Sequence, residues 1–126
     1  MGILNKKILD KFEKDKEVIA VLVFGSYARG EEHRDIDICV VLDKKYLNLE
    51  MSKKRIKYSS LLSDKYDLNI FQQLPLYIRK RVLKDGKIIL CKDEPLLYEI
   101  AFFTIKEFNL YEKGYKMYLE AIENEK

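Results

Sequence analysis

Two runs, VIAVLVF at 18–24 and DIDICVVL at 35–42, limit the folds open to this chain. Each is a strand-length stretch of apolar, largely β-branched residues with almost no polar face to offer water. Such runs read as strands buried on both sides. A strand buried on both sides needs packed layers above and below its sheet, which selects an α/β architecture. The second run carries an exception, because Asp35 and Asp37 stand at its mouth. Period-two alternation sets Asp35, Asp37, Cys39 and Val41 on one face and Ile36, Ile38, Val40 and Leu42 on the other. Two like charges on one face of a buried strand need a reason.

The other segments supply the layers. Residues 3–16 place Leu4, Ile8 and Phe12 at four-residue intervals among lysines and acids, the pattern of a surface helix with one apolar stripe. Gly25-Ser26 ends the first run, with Ser26 set to cap a very short helix over YARG that Gly30 breaks. Residues 49–62 read as a helix built on Leu49, Ile56, Ser60 and Leu61 or their neighbours. YDLNIF, 66–71, is a third strand with Asp67 near its start. Leu74-Pro75 opens a short helix through Val82, and Asp85-Gly86 turns into KIILC, a short edge strand. From Pro95 to about Ile122 a long helix carries a stripe of Leu97, Ile100, Ala101, Thr104, Phe108, Tyr111, Tyr115 and Leu119. Gly114 in its interior marks a kink or a close approach. The order predicts a small mixed sheet with helices packed on it and a long C-terminal helix, residues 1–126 forming one domain.

Composition excludes more than it selects. No apolar run nears the ~20 residues that span a bilayer, and MGILNKKILDKFEKD mixes acids with bases, unlike a signal peptide. With 24 Lys and Arg against 21 Asp and Glu, the charge is too balanced to argue for nucleic-acid binding. The basic phrase YIRKRVLK reads as the solvated face of a short helix. Cys39 and Cys91 both lie in apolar runs and read as reduced core thiols, which fits the cytoplasm. Lys87 and Lys92 flank a short strand and are expected to face water, as is His33, the one histidine, in its loop. Arg34 either steers a polyanion or balances Glu31 and Glu32.

Asp35 and Asp37 carry the chemistry. Close carboxylates repel, and one then holds its proton abnormally tightly. A divalent cation removes that cost, and hard oxygen ligands suit Mg²⁺ together with substrate phosphates. Asp67, at the corresponding end of another strand, would join them if the two strands are neighbours. Gly25 allows a sharp turn after which backbone amides and the Ser26 hydroxyl could meet a phosphate. These features describe a nucleoside triphosphate site without a Walker loop, whose long glycine-rich run and Lys-Ser/Thr pair are missing.

In combination, GSYARG, DID, YDLNIF and LPLYIRKRVLKDGKIILC resemble the minimal nucleotidyltransferase domains of the polymerase-beta superfamily, over residues 15–95. The family pattern falls here on Gly25, Ser26, Asp35, Asp37 and Asp67. The chain departs from it in a shorter loop between Ser26 and Asp35, with Arg34 where a serine is common. LLYEIAFFTIKEFNLYEKGYKMYL resembles the C-terminal helix of the subgroup that acts as antitoxin to HEPN ribonucleases.

The resemblance implies transfer of AMP from ATP to a tyrosine of such a toxin. Asp35 and Asp37 would hold Mg²⁺, Asp67 would complete a second metal position or take the acceptor proton, and Ser26 with nearby amides would hold phosphates. Arg29 either reaches a phosphate or makes a surface salt bridge. Tyr98, Phe102, Phe103 and Tyr111 belong either to a partner surface or to packing of the last helix. Two other readings stay open: an antitoxin that works by binding alone, and a transferase for a small hydroxyl compound with a pocket completed by a homo-oligomer. A nucleic-acid polymerase is set aside, since no region of thumb or finger size remains.

Overall fold

A computed structural model of the chain describes residues 4–31 and 35–125. Helix α1 (Lys6–Lys14) leads into strand β1 (Val18–Phe24), the four-residue helix α2 (Gly25–Ala28) and strand β2 (Ile36–Leu42). Helix α3 (Asn48–Ser59), strand β3 (Tyr66–Ile70) and a 3₁₀ turn at Phe71–Gln73 follow. Helix α4 (Leu76–Asp85), strand β4 (Lys87–Cys91) and helix α5 (Glu94–Asn124) complete the order. The strands form one sheet in the order β3-β2-β1-β4. β1 runs antiparallel to β2 and to β4, whereas β2 and β3 are parallel, so the sheet is mixed as expected.

The two apolar runs occupy the centre, and every residue of β1 is buried. On one face, Ile8 and Phe12 of α1 and Met51 and Tyr58 of α3 pack against Val21, Val23, Ile38, Val40, Leu68 and Ile70. On the other, Val82 of α4, Leu97 of α5 and Phe71 cover Ala20, Leu22, Cys39 and Val41. Hydrophobic burial on both faces therefore fixes the layers. Cys39 is buried and Cys91 half-buried, and both are free thiols.

Several expectations are corrected. α3 buries Met51 and Tyr58, not Leu49 and Ile56, which are exposed. The decisive contact is polar as well as apolar. Tyr58 stacks at a tilt on Phe12 with ring centroids 4.6 Å apart, and its hydroxyl donates to Asp15 Oδ2 at 2.5 Å. Ser26 lies inside α2 and makes no cap: the helix starts at Gly25, after Phe24 in extended backbone. Lys92 does not face water. Its Nζ donates to the carbonyls of Phe12, Glu13 and Asp15 at 2.7–3.1 Å, satisfying the open C-terminal end of α1. Around Gly114 there is open space, so no close approach explains it. Of the stripe on α5, only Leu97 and Thr104 are buried. Tyr98, Phe102, Phe103 and Tyr111 are all exposed, which removes packing on the described residues as their role.

The end of the sheet at the start of β1 is held by a charged knot. Asp15 accepts from Lys54 and Tyr58, each at 2.5 Å, and Lys54 also meets Glu17 at 2.9 Å. Burial alone would raise the Asp15 carboxyl, but the hydrogen bonds from Lys54, Tyr58 and the Glu17 backbone outweigh it and hold the group below its usual 3.8. A lowered carboxyl stabilises the fold above its unfolded-state value and loses that contribution as pH falls through the folded one. Asp15→Asn should therefore cost roughly 1.5–3 kcal/mol at neutral pH and flatten the acid limb of stability below pH 3.8. Urea titrations across that range check both effects.

Candidate active site

The far end of β1 collects the acids. β1 ends at Phe24, which pairs with Asp37 of β2, and Asp37 in turn pairs with Asp67 of β3. Neighbouring strands lie about 4.8 Å apart, so Asp37 and Asp67 stand side by side at one sheet end. The parallel pairing is what the sequence left conditional. Asp35 lies just outside β2, one residue short of the expected strand, with Ile36 N–H bonded to the Lys65 carbonyl at 2.8 Å. Asp37 is half-buried, whereas Asp35 and Asp67 are exposed.

These positions perturb Asp37 in the expected direction. Burial, first, and then the charges of Asp67 and Asp35 push its carboxyl above the usual 3.8, while Arg29 pulls the other way. Arg29 at the end of α2 is itself paired, with Glu31 at 3.1 Å and Asp85 at 3.7 Å. The salt-bridge half of its expectation thus holds, and the same side chain puts positive charge beside Asp37.

The Gly25-Ser26 turn works through its backbone. Gly25 has φ +76°, in the left-handed region, and a Cβ there would run into the Asp37 carboxylate oxygen. Glycine therefore lets the chain reverse directly against the acid. α2 then closes through bonds from Gly30 N–H to Tyr27 O at 3.1 Å and from Glu31 N–H to Ser26 O at 2.9 Å. With Gly30 at φ +74°, this is a Schellman closure. Gly25, Ser26 and Arg29 are thus carried on one short turn beside Asp37. His33 and Arg34 lie outside the described residues.

The donor set fits a hard divalent cation. Among the described residues no three His, Cys, Asp or Glu side chains close around a metal by themselves. Mg²⁺ suits such an open arrangement, since it is held by one or two carboxylates and completes its octahedron with waters and substrate phosphates. Sequence reasoning missed the basic wall beside the site. Arg29 shares a cleft with Tyr77, Lys80, Arg81, Lys84 and Asp85; Arg81 and Lys84 of YIRKRVLK are exposed, as a solvated face requires, and line that cleft from α4. Its signal was the three-residue spacing of Arg81 and Lys84, which puts them on one side of a helix.

Two outcomes follow from the crowding of Asp37. In EDTA, Asp37→Asn should melt above the parent protein, because a repelled, half-buried charge is removed; thermal unfolding followed by circular dichroism reads the difference. Gly25→Ala should be less stable by about 1 kcal/mol or more, from the left-handed backbone and the collision with Asp37. Denaturant titration measures that loss.

Comparison with known proteins agrees with this geometry. The family model described as polymerase beta, nucleotidyltransferase, matches residues 6–95. Two relatives from Methanocaldococcus jannaschii are named "Putative protein adenylyltransferase". MJ1547 is 40% identical over 75 residues, which cover 58% of this chain and 56% of that protein. MJ0141 is 39% identical over 72 residues, covering 51% of this chain and 72% of that protein. The chain thus spans little more than half the length of MJ1547. Among solved structures, a chain of a toxin-antitoxin crystallised with AMP-PNP superposes with a TM-score of 0.68 at 23% identity, covering 94% of this chain and 98% of that one. A chain from the complex of tri-AMPylated Shewanella oneidensis HEPN toxin with MNT antitoxin superposes with a TM-score of 0.64 at 20% identity, covering 92% and 90%. At those identities the superpositions speak to fold. The family match spans most of the chain and takes in every acid of the site, and the chain belongs to the polymerase beta nucleotidyltransferase family.

Proposed function

We propose that the protein is a Mg²⁺-dependent nucleotidyltransferase that moves AMP from ATP to a hydroxyl, a tyrosine of a HEPN ribonuclease toxin, and so acts as an antitoxin. The observation that carries this reading is the register of Asp37 against Asp67 with Gly25 pressed onto the Asp37 carboxylate. Support comes from the relatives. One structure of this fold was crystallised with AMP-PNP, and another is a complex with an AMPylated HEPN toxin. The M. jannaschii relatives are named for adenylyl transfer to protein.

In the reaction, the acceptor oxygen bonds to the α-phosphorus, the bond to the β-phosphate oxygen breaks, and pyrophosphate leaves. Asp35 and Asp37 would hold Mg²⁺, which would neutralise charge on the α-phosphate and the leaving group. Asp67, the more exposed of the facing pair, would either complete a second metal position or take the acceptor's proton on its carboxylate. Ser26 and the backbone at Gly25 line the side of Asp37 from which phosphates would approach. Arg29 adds positive charge there and stabilises the anionic form of Asp37.

The partner would meet α5. Residues 95–122 carry exposed Tyr98, Phe102, Phe103, Tyr111, Tyr115 and Tyr118, a density of aromatic surface that suits a protein interface. No helix among the described residues is long and apolar enough to cross a membrane. We place the protein in the cytoplasm, where ATP and free thiols such as Cys39 are at home.

Asp37→Asn and Asp67→Asn should each lower AMP transfer to the toxin by roughly a hundredfold or more, as loss of a metal-holding carboxylate or a proton acceptor does. Mass spectrometry of the toxin reads the added AMP. Full toxin silencing by Asp37→Asn, with no AMP added, would replace chemistry by capture as the mechanism.

A further inference from the structure

Between the end of α2 and helix α4 lies a cleft of about 490 Å³ lined by Arg29, Tyr77, Lys80, Arg81, Lys84 and Asp85. Four cations face one carboxylate. That carboxylate, Asp85, is engaged by Arg29 at 3.7 Å. Lys80 Nζ sits 4.1 Å above the Phe108 ring. Arg81 and Lys84 are exposed and have neither an ion pair nor a hydrogen bond among the described residues. Gathering like charges without counter-charge is unfavourable, and a multivalent anion relieves it.

We infer that this cleft binds the polyphosphate tail of the nucleotide, receiving the β- and γ-phosphates and then the leaving pyrophosphate. The inference rests on the nucleotidyl-transfer reading and adds α4 to the site. Its physical link is α2, which sets Gly25 against the Asp37 carboxylate at its start and Arg29 in the cleft at its end. A linear anion running from Asp37 over Arg29 enters the cleft directly, toward Arg81 and Lys84. An acidic peptide suits the place less well. Its carboxylates would be repelled by Asp35, Asp37 and Asp67, whereas a polyphosphate travels with a divalent cation that those same acids favour. Lysine and arginine are the side chains that bind phosphate oxygens, arginine in bidentate fashion.

The test is isothermal titration of the full chain with three probes in Mg²⁺: ATP, inorganic tripolyphosphate and AMP. Arg81→Ala/Lys84→Ala is compared with the parent and with the charge-preserving Arg81→Lys/Lys84→Arg. Both cations are exposed and, among the described residues, unpaired, so the variants should keep the parent melting temperature. The double alanine variant is expected to lose about tenfold or more in affinity for ATP and for tripolyphosphate. AMP binding should be unchanged, and the charge-preserving variant should bind like the parent. Equal ATP and tripolyphosphate affinities in the parent and the double alanine variant would overturn the cleft, and Asp37→Asn would separately report whether the nucleotide site is live. A double variant that keeps ATP affinity but loses toxin capture would make the cleft a docking surface and also overturn the inference. If the parent binds tripolyphosphate but not ATP, the nucleotidyl reading falls while the polyphosphate cleft stands. If it binds neither, both fall.

Discussion

The parallel pairing of β2 with β3 governs what this molecule can do. It sets Asp37 beside Asp67 at the end of a sheet whose centre is apolar, and β1 delivers Gly25 against the same carboxylate from the other side. Everything in the core serves that alignment. A shift of one residue between β2 and β3 would turn one acid to the opposite face and disperse the site. The register is held by burial on both faces, since Ile38 and Val40 pair with Leu68 and Ile70, all fully or almost fully buried. Gln72 adds a clamp just beyond β3. Its side-chain amide donates to the Leu42 carbonyl at 2.8 Å and accepts from the Leu42 N–H at 3.1 Å.

The two ends of the sheet are built on opposite electrostatic logic. Where β1 begins, the charges tied into the fold have complements: Asp15 with Lys54 and Tyr58, Lys92 with the carbonyls that end α1. Where β1 ends, like charges are gathered on both sides of Arg29, carboxylates toward β2 and β3 and cations toward α4. The first arrangement lowers the free energy of the fold. The second raises it, the usual relation between stability and a functional site.

What could be read from the sequence follows from the range of the forces involved. The strands and their burial were legible because an unbroken β-branched run has few alternatives, and Asp35, Asp37 and Asp67 stood out because acids are expensive there. The face of α3 was not legible. Leu49 and Ile56 look like its core, yet Tyr58 wins because its ring meets Phe12 while its hydroxyl meets Asp15, forty-three residues earlier. Lys92 failed for the same reason, its partners lying seventy-seven to eighty residues away. The helix entry at Gly25 was missed because the cost of a Cβ there depends on Asp37, across the strand pair.

Lys80 has a consequence of its own. Its ammonium lies over Phe108 of α5 and also lines the cleft, and the neighbouring Arg79 reaches Glu107 of α5 at 3.8 Å. α5 extends about 46 Å at 1.5 Å per residue, over 31 residues, with Leu97 and Thr104 its buried anchors. The long helix and the cationic wall are therefore joined through adjacent side chains of one turn. Whatever grips α5 at Phe108 and whatever enters the cleft meet the same lysine. By thermodynamic reciprocity, any influence of the first on the affinity of the second is returned in equal measure.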